Sequence, residues 1–172
     1  MAEKLAKSLI GMMGGLLSLS FGKQLIVFII SMLPILELRG GLIAASLLKL
    51  PPLESYIIAI VGNVIPVPFI LLLINKILRA MEKSRFKLFN GIHSFLHKKI
   101  MKNKDSIEKY GFWGLVIFVG IPLPGTGAWT GAIIAAFLDM DRKKAFLGIL
   151  LGMLMASIIM MIISFGLISK VA

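Results

Sequence analysis

The sequence predicts an all-α polytopic membrane protein. An N-terminal helix precedes an inverted repeat, each unit being a re-entrant helical hairpin plus a transmembrane helix. Three observations predict it. Of the 172 residues, 58% are hydrophobic and the mean hydropathy is +0.97, values outside the range of ordinary soluble domains. Residues 110–138 contain no Lys, Arg, Asp, Glu or His, yet Pro122, Pro124, Gly120, Gly125, Gly127 and Gly131 interrupt their middle. Finally, the two halves align without a gap at an offset of 90 residues: Pro34 on Pro124, Gly41 on Gly131, Ile43 on Ile133, Ala45 on Ala135, Leu48 on Leu138 and Gly62 on Gly152, with Phe28 on Phe118 upstream.

Residues 5–22 follow Lys4 and Lys7 as a signal peptide would, but no small-x-small cleavage pattern follows, so they read as a retained first helix. The first repeat, about 23–75, has arms 24–33 and about 40–50 around an irregular tip at 33–40. Its spanning helix, 53–75, is started by Pro51 and Pro52. A basic amphipathic linker, 76–110, leads to the second repeat, about 111–169, with its hairpin at 111–138 and its spanning helix at 145–169. The pieces flanking the second break are each shorter than the roughly 20 residues a spanning helix needs. Proline and glycine remove or weaken helical hydrogen bonds there. Irregular backbone at membrane depth survives only where protein or water satisfies it.

Charge orients the chain. The formal net charge is +11, which in a soluble protein would raise nucleic-acid binding. Here ten bases less three acids leave +7 on residues 76–109 alone, and a short basic loop between apolar segments marks the cytoplasmic side. The same loop offers contacts to anionic lipid headgroups, so membrane lipids are the expected partners and nucleic acid is not. A hairpin crosses zero times and a spanning helix once, which makes the second unit start on the opposite face. The repeats are then inverted, with the N-terminus, the basic linker and residues 139–144 in the cytoplasm of an inner-membrane protein. If each hairpin were instead one kinked span, the repeats would be parallel.

Glu37 and Arg39 are the only ionisable residues between Gln24 and Leu48. A charge in the hydrocarbon is costly unless paired or hydrated, which makes both functional candidates. Glu37 has the chemistry to take up a proton or cation, and Arg39 the planar fork that holds an anion. Mutual neutralisation, pinning the tip, is the plain alternative. The second break has no charge; it offers backbone amides near Gly125, Thr126 and Gly127, opening the half-helix that contains Trp129, and such a terminus attracts anions. Facing tips would therefore form one pocket from Glu37, Arg39, Pro122, Pro124, Gly125, Thr126, Gly127 and Trp129. Close packing of small residues explains Gly131, Ala132, Ala135 and Ala136 better than a site does. Pro66 and Pro68 kink the first spanning helix and free carbonyls for a cation or a path, beside Asn63, a candidate interhelical donor. His93 and His97, four apart, lack a convincing third ligand, so no metal site is expected. There is no Cys, and no nucleophile–base pair, paired carboxylates or Walker-type loop, so no enzyme and no cofactor are expected; pumping would use a proton or sodium gradient.

The segments 33–41 (LPILELRGG), Gly62-Asn63 with Pro66 and Pro68, and 121–131 (IPLPGTGAWTG) resemble the small multidrug export protein family of bacteria and archaea, over about 23–169. The layout is more distantly similar to the DedA superfamily, which pairs two re-entrant hairpins and is associated with moving lipid phosphates such as undecaprenyl phosphate. That likeness implies that Glu37 matches the acidic residue of the first hairpin. DedA proteins also carry arginines around the second proline, where this chain has Val119 and Gly125. Two functions follow as expectations: a gradient-coupled exporter of a small organic solute, or a translocase for a polyprenyl-phosphate-type lipid. A non-transporting scaffold that binds lipids or a partner through its basic segment is the alternative. With few full crossings in one chain, a homodimer is expected.

Overall fold

A computed structural model of the chain describes residues 2–82, 109–123 and 125–167. Its elements are helices throughout the described residues: α1 (Ala2–Met12), α2 (Gly22–Met32), α3 (Glu37–Leu47), α4 (Pro52–Val64), α5 (Pro66–Glu82), α6 (Lys109–Gly120), α7 (Ala128–Phe137) and α8 (Arg142–Met161). The centre of the basic linker, with His93 and His97, lies outside the described residues, as does Pro124.

Residues 5–22 do not form one long helix. α1 has 11 residues, short of the roughly 20 that cross a bilayer, and Gly14-Gly15 turn it into a short 3-10 segment, Gly14–Ser18. In α1, Lys7 pairs with Glu3 at 2.8 Å one turn away, and this contact holds the Glu3 carboxyl below its usual range. Ala6 is fully buried where α1 meets α3.

Proline sets the next boundaries. Leu33, ahead of Pro34, is pushed to extended backbone (φ −73°, ψ 136°) and ends α2, because the proline ring disfavours helix in the residue before it. Pro51, ahead of Pro52, is likewise extended, and Pro52 opens α4, where its missing N–H costs nothing. The first tip is therefore only residues 33–36, tighter than expected, and Glu37 and Arg39 lie in the first turn of α3. The ends of this hairpin meet: Lys23 Nζ donates to the Leu48 carbonyl at 3.1 Å.

Each hairpin's second arm ends in the same cap, 90 residues apart. Leu48 N donates to Ala44 O, Lys49 N to Ser46 O and Leu50 N to Ala45 O; Leu138 N donates to Ile134 O, Asp139 N to Ala136 O and Met140 N to Ala135 O. Lys49 (φ 56°) and Asp139 (φ 49°) both take the left-handed conformation that closes such a cap. The next helix then starts alike, through Ser55 N on Pro51 O and Ala145 N on Asp141 O, with the Asp141 side chain accepting from Lys144 N at 3.0 Å.

The first arms keep a different register. Gly62 faces Phe28 O and Ser31, while Gly152 faces Val116 O and Val119; Gly41 faces Ser31 and Val27, while Gly131 faces Val119 and Leu115. These partners differ by 88 residues, so Phe28 corresponds to Val116, not to Phe118 as the gapless alignment has it. The longer second tip absorbs the two residues.

Two stretches are long and apolar enough to cross a membrane, Pro52–Ile74 and Arg142–Gly166. In the first, helical hydrogen bonding is interrupted between α4 and α5, since Pro66 and Pro68 donate none, while Ile65 keeps helical backbone (φ −53°, ψ −45°). α5 runs on to Glu82, into the expected linker. α8 begins three residues earlier than expected and closes in a π-helical turn, Ile162–Leu167. α4 and α8 run antiparallel: Tyr56 meets Ser157 (3.2 Å, Ser157 Oγ to Tyr56 Oη) and Asn63 meets Met153 (3.2 Å, Nδ2 to Sδ). Their outward faces stay apolar, with Leu53 72% and Ile158 57% exposed. The core between the arms combines Ile26, Ile30, Leu42, Leu115, Ile134 and Ile149 with Ala44, Ala45, Ala132 and Ala135, all fully buried; small residues let helices approach.

The glycines at 62 and 152 give this packing a direct test. A Cβ would lie 2.8 Å from Phe28 O at Gly62 and 2.7 Å from Val116 O at Gly152, whereas at Gly11 it meets nothing within 4 Å. Gly62→Ala and Gly152→Ala are each expected to lower stability by about 1–3 kcal/mol through overpacking against backbone. Gly11→Ala should not lower it. Thermal unfolding in detergent compares the three.

Candidate functional site

The second tip is a chain of tight turns. Ile121 N still bonds Ile117 O at 3.0 Å, Leu123 N reaches back to Ile121 O at 2.8 Å and Thr126 N to Leu123 O at 3.2 Å. Gly125 (φ 89°) and Gly127 (φ 142°) supply conformations that side chains resist. α7 begins only at Ala128. This leaves two exposed dipole ends, the carbonyls ending α6 and the amides opening α7, each carrying roughly half an elementary charge.

Residues of α3 fill both. The Glu37 carboxylate accepts from Ala128 N through Oε2 and from Trp129 N through Oε1, each at 3.1 Å. Glu37 is 5% exposed and holds a left-handed backbone (φ 52°). A non-glycine residue there costs on the order of 1 kcal/mol or more, offset by two charge-assisted bonds in a dry setting. Gly127 makes this approach feasible, since a Cβ at 127 would collide with Glu37 Oε2.

Arg39 serves the opposite dipole. Its Nη1 donates to Leu123 O, and its Nη2 reaches Ile121 O at 3.4 Å and Thr126 Oγ1 at 3.2 Å. The Thr126 hydroxyl, accepting from Arg39, lies within donating reach of Ile121 O (2.8 Å) and Leu123 O (2.9 Å). Negative charge thus sits on the amide end of the break and positive charge on its carbonyl end. The second hairpin answers in kind, with Trp129 Nε1 donating at 3.2 Å to Met32 O in the last turn of α2.

A family model for small multi-drug export proteins matches residues 37–159. The chain belongs to this family. The match begins at Glu37 and contains the first spanning-length helix, the second hairpin and most of the second spanning-length helix. Membership and the apolar helices together make it a membrane protein. No curated protein and no solved structure matches the chain.

Within this family member, most of the expected site residues meet: Glu37, Arg39, Thr126, Gly127 and Trp129 form one cluster. Pro122 is half-buried and Gly125 exposed in the turn. The donating amides are those of Ala128 and Trp129, one residue or more beyond those expected at Gly125, Thr126 and Gly127, because the helix starts later. Asn63 binds elsewhere, with its amide on Met153 of α8. Sequence reasoning missed Met153 and the acceptor carbonyls of Met32, Ile121 and Leu123. The offset carried a signal for two of these contacts: Arg39 and Trp129 are 90 apart, as are Asn63 and Met153.

Glu37→Ala leaves one buried and one part-buried amide without the carboxylate and should cost about 1–3 kcal/mol. Gly127→Ala should also destabilise, through backbone strain at φ 142° and through collision with Glu37; when Glu37 is already Ala the collision part is gone and only the strain remains. A double-mutant cycle on thermal unfolding reads this coupling, and additive effects would contradict the geometry.

Proposed function

We propose that the chain is a gradient-coupled secondary exporter of small organic solutes, working between two re-entrant hairpins that are inverted repeats. The observation that carries this is the buried Glu37 carboxylate held on backbone amides of the other hairpin. Protonation of Glu37 would weaken both bonds and loosen one tip from the other. Deprotonation would restore them. Arg39, bonded to carbonyls and a hydroxyl, would hold the anionic part of a substrate. The antiparallel run of α4 against α8 and the meeting of Lys23 with Leu48 O support the inverted, re-entrant layout. On this reading the hairpins rock about the α4–α8 crossing, as rigid repeats do in secondary transporters. The basic segment faces the cytoplasm of an inner membrane.

One observation favours a lipid as substrate. The tips are rimmed by exposed apolar side chains, Ile35 at 83% and Leu123 at 56%, which suits a substrate with a tail in the bilayer and an anionic head at Arg39.

Two measurements test these readings. The natural chain lacks cysteine, so Leu53→Cys and Lys143→Cys, both at exposed positions, report topology cleanly. Inverted repeats require them to be labelled from opposite faces, and labelling from one face would refute the layout. In proteoliposomes with an imposed pH gradient, ethidium efflux and transbilayer movement of a fluorescent polyprenyl phosphate are followed side by side. Glu37→Gln should slow the transported one by about tenfold or more, the usual scale for losing an acid–base group. Unchanged flux would remove Glu37 from coupling and favour the scaffold.

A further inference from the structure

The Glu37 carboxylate is seated as a ligand would be. Its two oxygens take one amide each, Ala128 N and Trp129 N, both at 3.1 Å, so two consecutive N–H groups of α7 hold the two ends of one planar group. Gly127 leaves the volume for it. Arg39, in the same turn of α3, adds a cation whose hydrogen bonds go to neutral acceptors, Ile121 O, Leu123 O and Thr126 Oγ1. The occupant is held under strain, because Glu37 keeps a left-handed backbone (φ 52°). Apolar side chains stand exposed beside both partners: Ile35, two residues before Glu37, and Leu123, which lends its carbonyl to Arg39.

We propose that this seat takes the carboxylate of an organic acid with an apolar tail, in exchange for that of Glu37, which leaves when it takes up a proton. The inference rests on the reading of Arg39 as the anion holder and names the substrate class of that site. The chain's own carboxylate shows that the two amides fit such a group. The exchange also conserves charge: one carboxylate departs as a neutral acid while another arrives ionised. Arg39 and the positive end of α7 therefore face a single negative charge in both states, and no further charge is buried. Protonated Glu37 keeps an O–H that can donate to the incoming anion. The exposed apolar side chains shelter a tail from water, which a bare anion could not use.

The titrating group is Glu37. The tips, 33–40 and 121–131, hold no ionisable side chain besides Glu37 and Arg39. Among the elements packed against α3, α2 carries Lys23, on the Leu48 carbonyl, and α4 carries Glu54, on Gln24, and Tyr56, on Ser157. α1 pairs Glu3 with Lys7 and exposes Lys4. α8 exposes Arg142, Lys143 and Lys144 in its first turn, and α7 has no ionisable residue.

Equilibrium binding of radiolabelled octanoate to the purified full-length protein in detergent tests this. Between about pH 6 and 9 octanoate stays ionised, so a pH dependence there belongs to the protein. The wild type should bind saturably at the acid end, with displacement by unlabelled octanoate and not by octanamide, which has the tail without the charge. Its affinity should fall as pH rises, by up to about tenfold per pH unit, the limit for one proton. Glu37→Gln removes the competing charge and should bind about tenfold tighter than wild type near the alkaline end, with a level profile. Palmitate displacing at lower concentration than octanoate assigns the seat to a bilayer fatty acid, the reverse order to a soluble acid, and either supports it. No saturable binding, equal displacement by octanamide, a level wild-type profile, or a Glu37→Gln affinity no tighter than wild type would each overturn the proposal. If Glu37→Gln does not fold, the wild-type profile decides alone. No flux is measured, so coupling through Glu37 stands or falls on its own test.

Discussion

A helix broken inside a hydrophobic setting leaves polar ends that must be satisfied, and this constraint organises the protein. Where water is scarce, the last carbonyls of one half-helix and the first amides of the next have no cheap partner. The chain answers with Glu37 on the amides of α7 and Arg39 on the carbonyls that follow α6. Each charge is matched to the dipole end it stabilises. Both charged side chains are thereby held largely by backbone groups of the other hairpin.

The second hairpin returns the contact through Trp129 on Met32 O. Arg39 and Trp129 stand 90 residues apart, and each donates a side-chain N–H to the carbonyl end of the other hairpin's first arm. The correspondence then breaks where chemistry enters: Glu37 has Gly127 as its counterpart. A carboxylate at one position requires the smallest residue at the other, because both compete for one volume. Asn63 against Met153 is likewise an unlike pair, at the helix crossing.

The all-helical character, the two membrane-capable helices and several of the residues that meet at the second break were legible in the residues. Pro34, Pro51 and Pro52 mark boundaries because a proline ring constrains its predecessor regardless of tertiary context, and those boundaries held to within a few residues. Glu37 and Arg39 stood out because isolated charges in apolar sequence are expensive wherever they go. The gapless alignment failed in the first arms because hydrophobic identities cannot show a two-residue shift absorbed by a loop. The first helix was read as too long because Gly14-Gly15 break a pattern that composition alone carries through.

What the sequence by itself determined is therefore what covalent geometry and desolvation impose locally: helices, breaks, caps and the few charges that need partners. What only the tertiary structure decided is who those partners are. That Glu37 reaches Ala128 and Trp129, that Arg39 turns to Ile121 and Leu123, and that one oxygen of Asn63 is left without a donor all depend on how two hairpins approach. The reason is physical: an orphaned amide or carbonyl has no side chain to name it, and it enters the pattern only when another element comes within about 3 Å.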